Sequence, residues 1–133
     1  MKRVYTLPEA NALLPLIKAI GREIVERTAL RRQLHRNRQR LEEARTPEGL
    51  LQELAELDAR ICAQDEGIAG SRREFEGHGM TVNCTHPLTV HIPGHSRSGP
   101  VVFCWQDGEG SLGFGHPLGE EEELRRPLRL KAV

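Results

Sequence analysis

Aromatic side chains are scarce in this chain of 133 residues: one tryptophan, one tyrosine and three phenylalanines, 4% of the whole. Proteins that stack single-stranded nucleic acid interleave rings with cations, and so few rings leave no such platform. Cysteine is scarce too, with three residues at irregular spacing. An odd, scattered set does not build a disulfide framework, so a reducing cytoplasm is the expected compartment. Net charge is missing as well, because nineteen Lys and Arg cancel nineteen Asp and Glu. That balance gives no pull towards an anionic membrane or a nucleic acid. No run approaches the roughly 18 apolar residues of a membrane span. Glu9, Asn11 and Pro15 also interrupt the apolar core that a secretion signal would need.

Charge and helical periodicity are abundant. Charged residues make up 29% of the chain and hydrophobic residues only 38%, a proportion that suits long, wet helices within a chain of single-domain length. Thr6 followed by Pro8 and Glu9 forms a capping-box pattern, so a helix starts there. Apolar residues then recur at helix-seam spacing at Leu13, Ile17, Ile20, Ile24, Leu34 and Leu41, up to about Arg45. Pro15 lies inside this pattern and cannot donate to a preceding carbonyl. The expectation is a kink near residues 11 to 15, or a short first helix with Pro15 opening a second. Thr46, Pro47 and Glu48 repeat the start signal, and Leu50, Leu54, Leu57, Ile61, Ile68 and Phe75 continue a seam until Gly77 and Gly79 stop it.

Two long helices joined by a tight link make an antiparallel hairpin over residues 6–77. Counting back from the link sets Leu41 near Leu50, Leu34 near Leu57, Ile24 near Ile68 and Ile17 near Phe75. The outer seam carries Arg27, Arg31 and Arg38 where a coiled coil wants leucine, with Gln64 facing Arg27. The inner end, from Leu13 to Val25, is apolar around most of its circumference and needs a cover. The cover comes from residues 78–118. Short apolar or alternating pieces at 80–82, 88–92, 101–105 and 111–114 read as strands, with a hairpin turn at Asp107 and Gly108. Residues 93–100, rich in Pro, Gly and Ser, read as a loop. Residues 119–133, with their run of glutamates, read as a tail or short helix.

Sixteen of the nineteen cations are arginine, and Arg27, Arg31, Arg32, Arg36, Arg38 and Arg40 form a block without an acid. Such a block can bind phosphates. The second helix, however, answers with Glu48, Glu53, Glu56, Asp58, Asp65 and Glu66, so the hairpin neutralises itself and no nucleic-acid partner is expected. Leu51, Ala55, Ala59, Cys62, Ala63 and Ala69 give that helix a second small-residue face, and two hairpins packed on it would form a four-helix bundle. A homodimer through the hairpin is therefore expected.

Seven of the nine His and Cys residues fall between positions 78 and 116. Cys84 and His86 sit two apart on an expected strand, and His91 and His116 complete a set of the types that hold zinc tetrahedrally. In that reading Glu109 serves as a general base. A cysteine nucleophile, Cys84 or Cys104, activated by His91 or His116, is a further arrangement of the same residues. No close Cys-x-x-Cys pair is present, and solvated or hydrogen-bonded histidines are the default.

Residues 6–15 (TLPEANALLP), 101–105 (VVFCW) with Gly108 and Glu109, 112–116 (LGFGH) and 126–128 (RPL) together resemble the bacterial domain of unknown function 2203 family. The resemblance covers nearly the whole chain. It implies an architecture and no activity, since that family has none assigned. Where its pattern has Lys-Asp this chain has Asn83 and Cys84, where it has an Asp before an aromatic and a proline this chain has His91, and its Trp before the histidine is Gly115 here. Two carboxylate positions have thereby become other metal-ligand types.

The expected architecture is a single α+β domain, a long coiled-coil-like hairpin packed at its base against a small antiparallel sheet. The expected function is a non-enzymatic, dimeric interaction or scaffold module. The competing class is a zinc-type metal-binding protein or enzyme using Cys84, His86, His91 and His116.

Overall fold

The computed structural model describes residues 4–44, 50–85, 87–97, 99–112, 114–117 and 126–127. These contain three helices, α1 (Leu7–Ala12), α2 (Leu14–Ala44) and α3 (Leu50–Gly77), and five strands, β1 (Thr81–Thr85), β2 (Leu88–Ser96), β3 (Gly99–Gln106), β4 (Phe114–Pro117) and β5 (Arg126–Pro127). The fold is α+β with a helical hairpin, as the periodicity predicts. It groups into two compact units, a base of residues 1–22 and 72–133 and a hairpin of residues 23–71.

The start of α1 follows the capping box. The Thr6 hydroxyl accepts from the Glu9 amide at 3.3 Å, and the Glu9 carboxylate accepts from the Thr6 amide at 2.9 Å. The same two bonds, the one to the Thr6 amide foremost, hold the Glu9 carboxyl below its ordinary range. Of the two outcomes expected around Pro15, the short first helix is the one found. The chain breaks at Leu13 and Pro15 becomes the second residue of α2, where its missing amide hydrogen would have had no helical partner. The second start signal, Thr46 to Glu48, lies outside the described residues.

In the base, Leu7, Ala10, Leu14, Ile17 and Ile20 form a buried stripe, joined by Phe75 and Met80. The sheet is wholly antiparallel in the order β1-β2-β3-β4-β5. Val90 pairs with Trp105 and Ile92 with Phe103, so alternation sets these large side chains, with Leu88, on one face. All five are 2% exposed or less. A Cβ on Gly21 would stand 3.0 Å from Leu88 Cδ2 and 3.1 Å from Trp105 Cζ3, so the bare glycine is what lets α2 lie this close to the sheet. The apolar first part of α2, up to Gly21, thus lies against the strands. Burial of each large apolar side chain contributes about 1.5–3 kcal/mol.

Two expectations need correction. Residues 93–100 are not a loop: β2 runs through Ser96 and β3 begins at Gly99, whose φ of +115° closes the reversal. The prolines that argue against strand cost no ladder bonds here. The Pro93 carbonyl accepts from the Tyr5 amide at 3.0 Å, and the His95 amide donates to the Tyr5 carbonyl at 2.9 Å. Amide and carbonyl of one residue share an edge in an antiparallel strand, so the Pro93 nitrogen faces Tyr5 and not β3. His95 pairs with Pro100, and by the same alternation the Pro100 nitrogen faces away from β2. The second correction concerns the tail, since Arg126 and Pro127 add an edge strand paired with Gly115 and Phe114. Asp107 and Gly108 do reverse the chain, with Gly108 at φ +101°. The next strand nevertheless resumes only at Phe114, because Leu112 is held elsewhere, its amide donating to Asn11 Oδ1 at 3.0 Å.

In the hairpin unit, Leu34 and Ile61 are buried and the polar layers fall where the seam analysis puts them. Arg27 Nη1 donates to Gln64 Oε1 at 3.1 Å, Arg38 Nε to Asp58 Oδ1 at 2.6 Å, and Arg31 pairs with Asp65. Gly67 lies against Arg27, whose guanidinium carbon would be 2.5 Å from an added Cβ.

Candidate functional site

The residues singled out by chemistry fall in three places. The first is the sheet face opposite the Trp105 side. His91 on β2 stands directly across from Cys104 on β3, and its other neighbour is Thr81 on β1. Cross-strand partners of this kind have Cβ atoms about 4.5–5.5 Å apart. Cys104 is fully buried and its thiol is free of disulfide, while His91 is half-buried. Beside His91 lies a cavity of about 270 Å³ lined by Gly79, Thr81, Pro93 and Val102 as well.

Of the other expected ligands, Cys84 occupies the β1 position across from Thr89, next to a bulge between Val82 and Cys84, and His116 occupies the β4 position across from Val102. His86 lies outside the described residues, as do the side chains of Cys84 and His116. Among the described residues no group of three or more His, Cys, Asp or Glu is disposed to hold a metal ion. Sequence reading undervalued the His91–Cys104 juxtaposition because it treated 93–100 as a loop. The pairing of Ser96 with Gly99 belongs to a β2–β3 register that brings His91 and Cys104 together.

The second place is the β3–β4 turn, where Glu109 lies. Glu109 Oε1 accepts from the Gln106 amide at 2.6 Å, and its carbonyl accepts from the Trp105 indole at 3.1 Å. The turn borders a cleft of about 230 Å³ whose other walls are Lys18, Arg22 and Trp105. Lys18 Nζ donates to the Gly110 carbonyl at 3.2 Å. Glu109 therefore lines a different cavity from His91. Lys18 and Arg22 escaped the sequence analysis. The clue was available, since they are a pair of cations one helical turn apart inside an otherwise apolar segment.

The third place is the outside of the hairpin. Leu51 is 83% exposed, and Ala55, Ala59, Cys62 and Ala63 are exposed along the same helix. Of the six arginines in the basic block, Arg27, Arg31 and Arg38 turn towards α3 and engage Gln64, Asp65 and Asp58. The Arg38 guanidinium holds the Asp58 carboxyl below its ordinary range, chiefly through their hydrogen bond. No described helix is long and apolar enough to cross a membrane.

A protein-family model described as an uncharacterized conserved protein, DUF2203, matches residues 3–128. No curated protein and no solved structure matches the chain.

Proposed function

Because the chain belongs to the DUF2203 family, whose description carries no activity, we propose from its own surfaces that it is a non-enzymatic interaction module acting as a homodimer through the helical hairpin. The observation that carries this reading is Leu51, 83% exposed at the head of a helical face of alanines and Cys62. Small side chains let helices approach closely, and a second hairpin laid on this face gives a four-helix bundle. The hairpin's own seam supplies little apolar area, because Gln64, Asp58 and Asp65 occupy positions that meet arginines. The exposed thiol of Cys62 and the buried thiol of Cys104 suit a reducing cytoplasm. The inward turn of Arg27, Arg31 and Arg38 supports a module without a nucleic-acid partner.

Sedimentation of the full chain at about 10 μM tests it. A dimer that Leu51→Glu and Ala59→Glu convert to a folded monomer is expected, and a wild-type monomer at that concentration overturns the reading.

One observation favours a second reading: strand pairing puts the positions of Cys84 and His116 on the sheet face that carries His91. In that reading a zinc-type ion is held by His91 with Cys84, His86 and His116, and Glu109 acts as a base only if the β3–β4 turn moves. Stoichiometric metal in untagged protein, lost in the His91→Ala, His116→Ala pair, would establish it. Metal-free protein whose melting temperature ignores chelator would remove it.

A further inference from the structure

The cleft at the β3–β4 turn carries an inference independent of the hairpin surface. At about 230 Å³ it is smaller than the roughly 300–1,000 Å³ of pockets for drug-sized molecules, so its occupant is small. One wall is cationic. Lys18 and Arg22 sit four residues apart on α2 and therefore project from the same side of the helix. The opposite wall carries the exposed carboxylate of Asp107. Among the described residues no salt bridge joins Asp107 to Lys18 or Arg22, and none involves Arg22 at all. Charges of both signs thus line one cleft without closing it.

The frame around them is fixed. Trp105 is 1% exposed and its indole is tied to the Glu109 carbonyl, while the Glu109 carboxylate ties back to the Gln106 amide. Lys18 holds the far side of the turn at the Gly110 carbonyl. Gly108 and Gly110 present no side chain at the rim. A simple anion in this cleft meets Asp107 and a simple cation meets Arg22, and each mismatch is repulsive. A molecule with a carboxylate and an ammonium a few bonds apart matches both walls.

We propose that the cleft between α2 and the β3–β4 turn binds a small zwitterion of the amino-acid class, its carboxylate on Arg22 and Lys18 and its ammonium on Asp107. Arg22 supplies the planar fork suited to a carboxylate.

Trp105 is the only tryptophan in the chain, so its emission reports on the cleft directly. The full chain is titrated with each common amino acid in turn, by fluorescence and by calorimetry. At least one is expected to give saturable binding by both readouts. Acetate and methylammonium, each carrying half of the charge pattern, are expected to bind at least about tenfold more weakly. Arg22→Ala and Asp107→Asn are each expected to weaken binding about tenfold or more while leaving the melting temperature unchanged. Absence of heat and of any emission change up to about 10 mM of every amino acid overturns the proposal. So does binding that survives both substitutions, which places the ligand elsewhere. Inorganic phosphate binding as tightly as the best amino acid, with Asp107→Asn neutral, replaces the zwitterion site with a plain anion site.

Discussion

The base and the hairpin of this protein are held by different forces. In residues 1–22 and 72–133 the buried positions include Trp105, Phe75, Phe103, Tyr5, Met80 and a set of Leu, Ile and Val; among the described residues of 23–71 they are Ile24, Leu34, Ile61 and Ser71. The base also has a five-stranded backbone ladder, whereas the hairpin adds ion pairs whose side chains remain about a third to a half exposed. Apolar burial scales with area and is not subject to charge screening, while exposed ion pairs are screened and weak. A chain can therefore place its scarce aromatics where they define one structure and hold the remainder of a helix pair with fewer apolar contacts and exposed ion pairs.

Substitutions in the two regions test that contrast. Phe75→Ala, at a fully buried base position, is expected to cost about 3–5 kcal/mol in urea denaturation followed by Trp105 emission and far-UV circular dichroism. Leu34→Ala, the best-buried leucine of the hairpin, is expected to cost about 2–3 kcal/mol, since a seam with polar layers relaxes around the gap. A larger loss at Leu34 than at Phe75 would break the comparison.

The glycines sharpen it. At Gly94 the added methyl runs into the Phe103 ring, which is buried and cannot move aside. Gly94→Ala should lower stability by about 1–3 kcal/mol in thermal melts. At Gly67 the obstacle is the end of the flexible Arg27 side chain. Gly67→Ala gives up the Arg27–Gln64 hydrogen bond and gains helix propensity, each on the order of 1 kcal/mol, so the net change stays within about 1 kcal/mol.

The smallest expected effect is electrostatic. The folded hairpin holds Asp58 below its ordinary 3.8 through Arg38. The unfolded chain therefore takes up the proton first as pH falls. The contribution is complete above 3.8 and drains away as pH drops through the depressed folded value. Melting temperature against pH should show a shallower acid limb in Asp58→Asn than in the wild type, and coincident curves would remove the pair from the account.

Much of this architecture was legible in the sequence, and the failures share a cause. The Thr6 cap, the break before Pro15, the Arg27–Gln64 layer and the stop at Gly77 are signals within or between helices, where spacing determines contact. The missed strand over residues 93–100 depended on a fact no local pattern carries, namely which edge of β2 Tyr5 would occupy. Once Tyr5 takes that edge, Pro93 is harmless. Likewise His91 and Cys104 become neighbours only through register, and the cleft at Lys18 and Arg22 exists only because a distant turn folds over that part of α2. Residues such as His91 and Glu109, grouped by proximity in the chain, end in separate cavities for the same reason.

The bond between Asn11 and the Leu112 amide joins residues 101 positions apart, which bears on how the protein is made. Local contacts form early and long-range ones late, so residues 23–71 can pair while the ribosome is still at work, yet the segment of Tyr5 and α1 meets its partners only later, first Pro93 and His95 on β2 and then Leu112. The first helix to be synthesised is thus among the last to settle. In the interval Leu7, Leu14 and Ile17 stand uncovered, and a nascent chain stalled before β2 is a natural client for a chaperone.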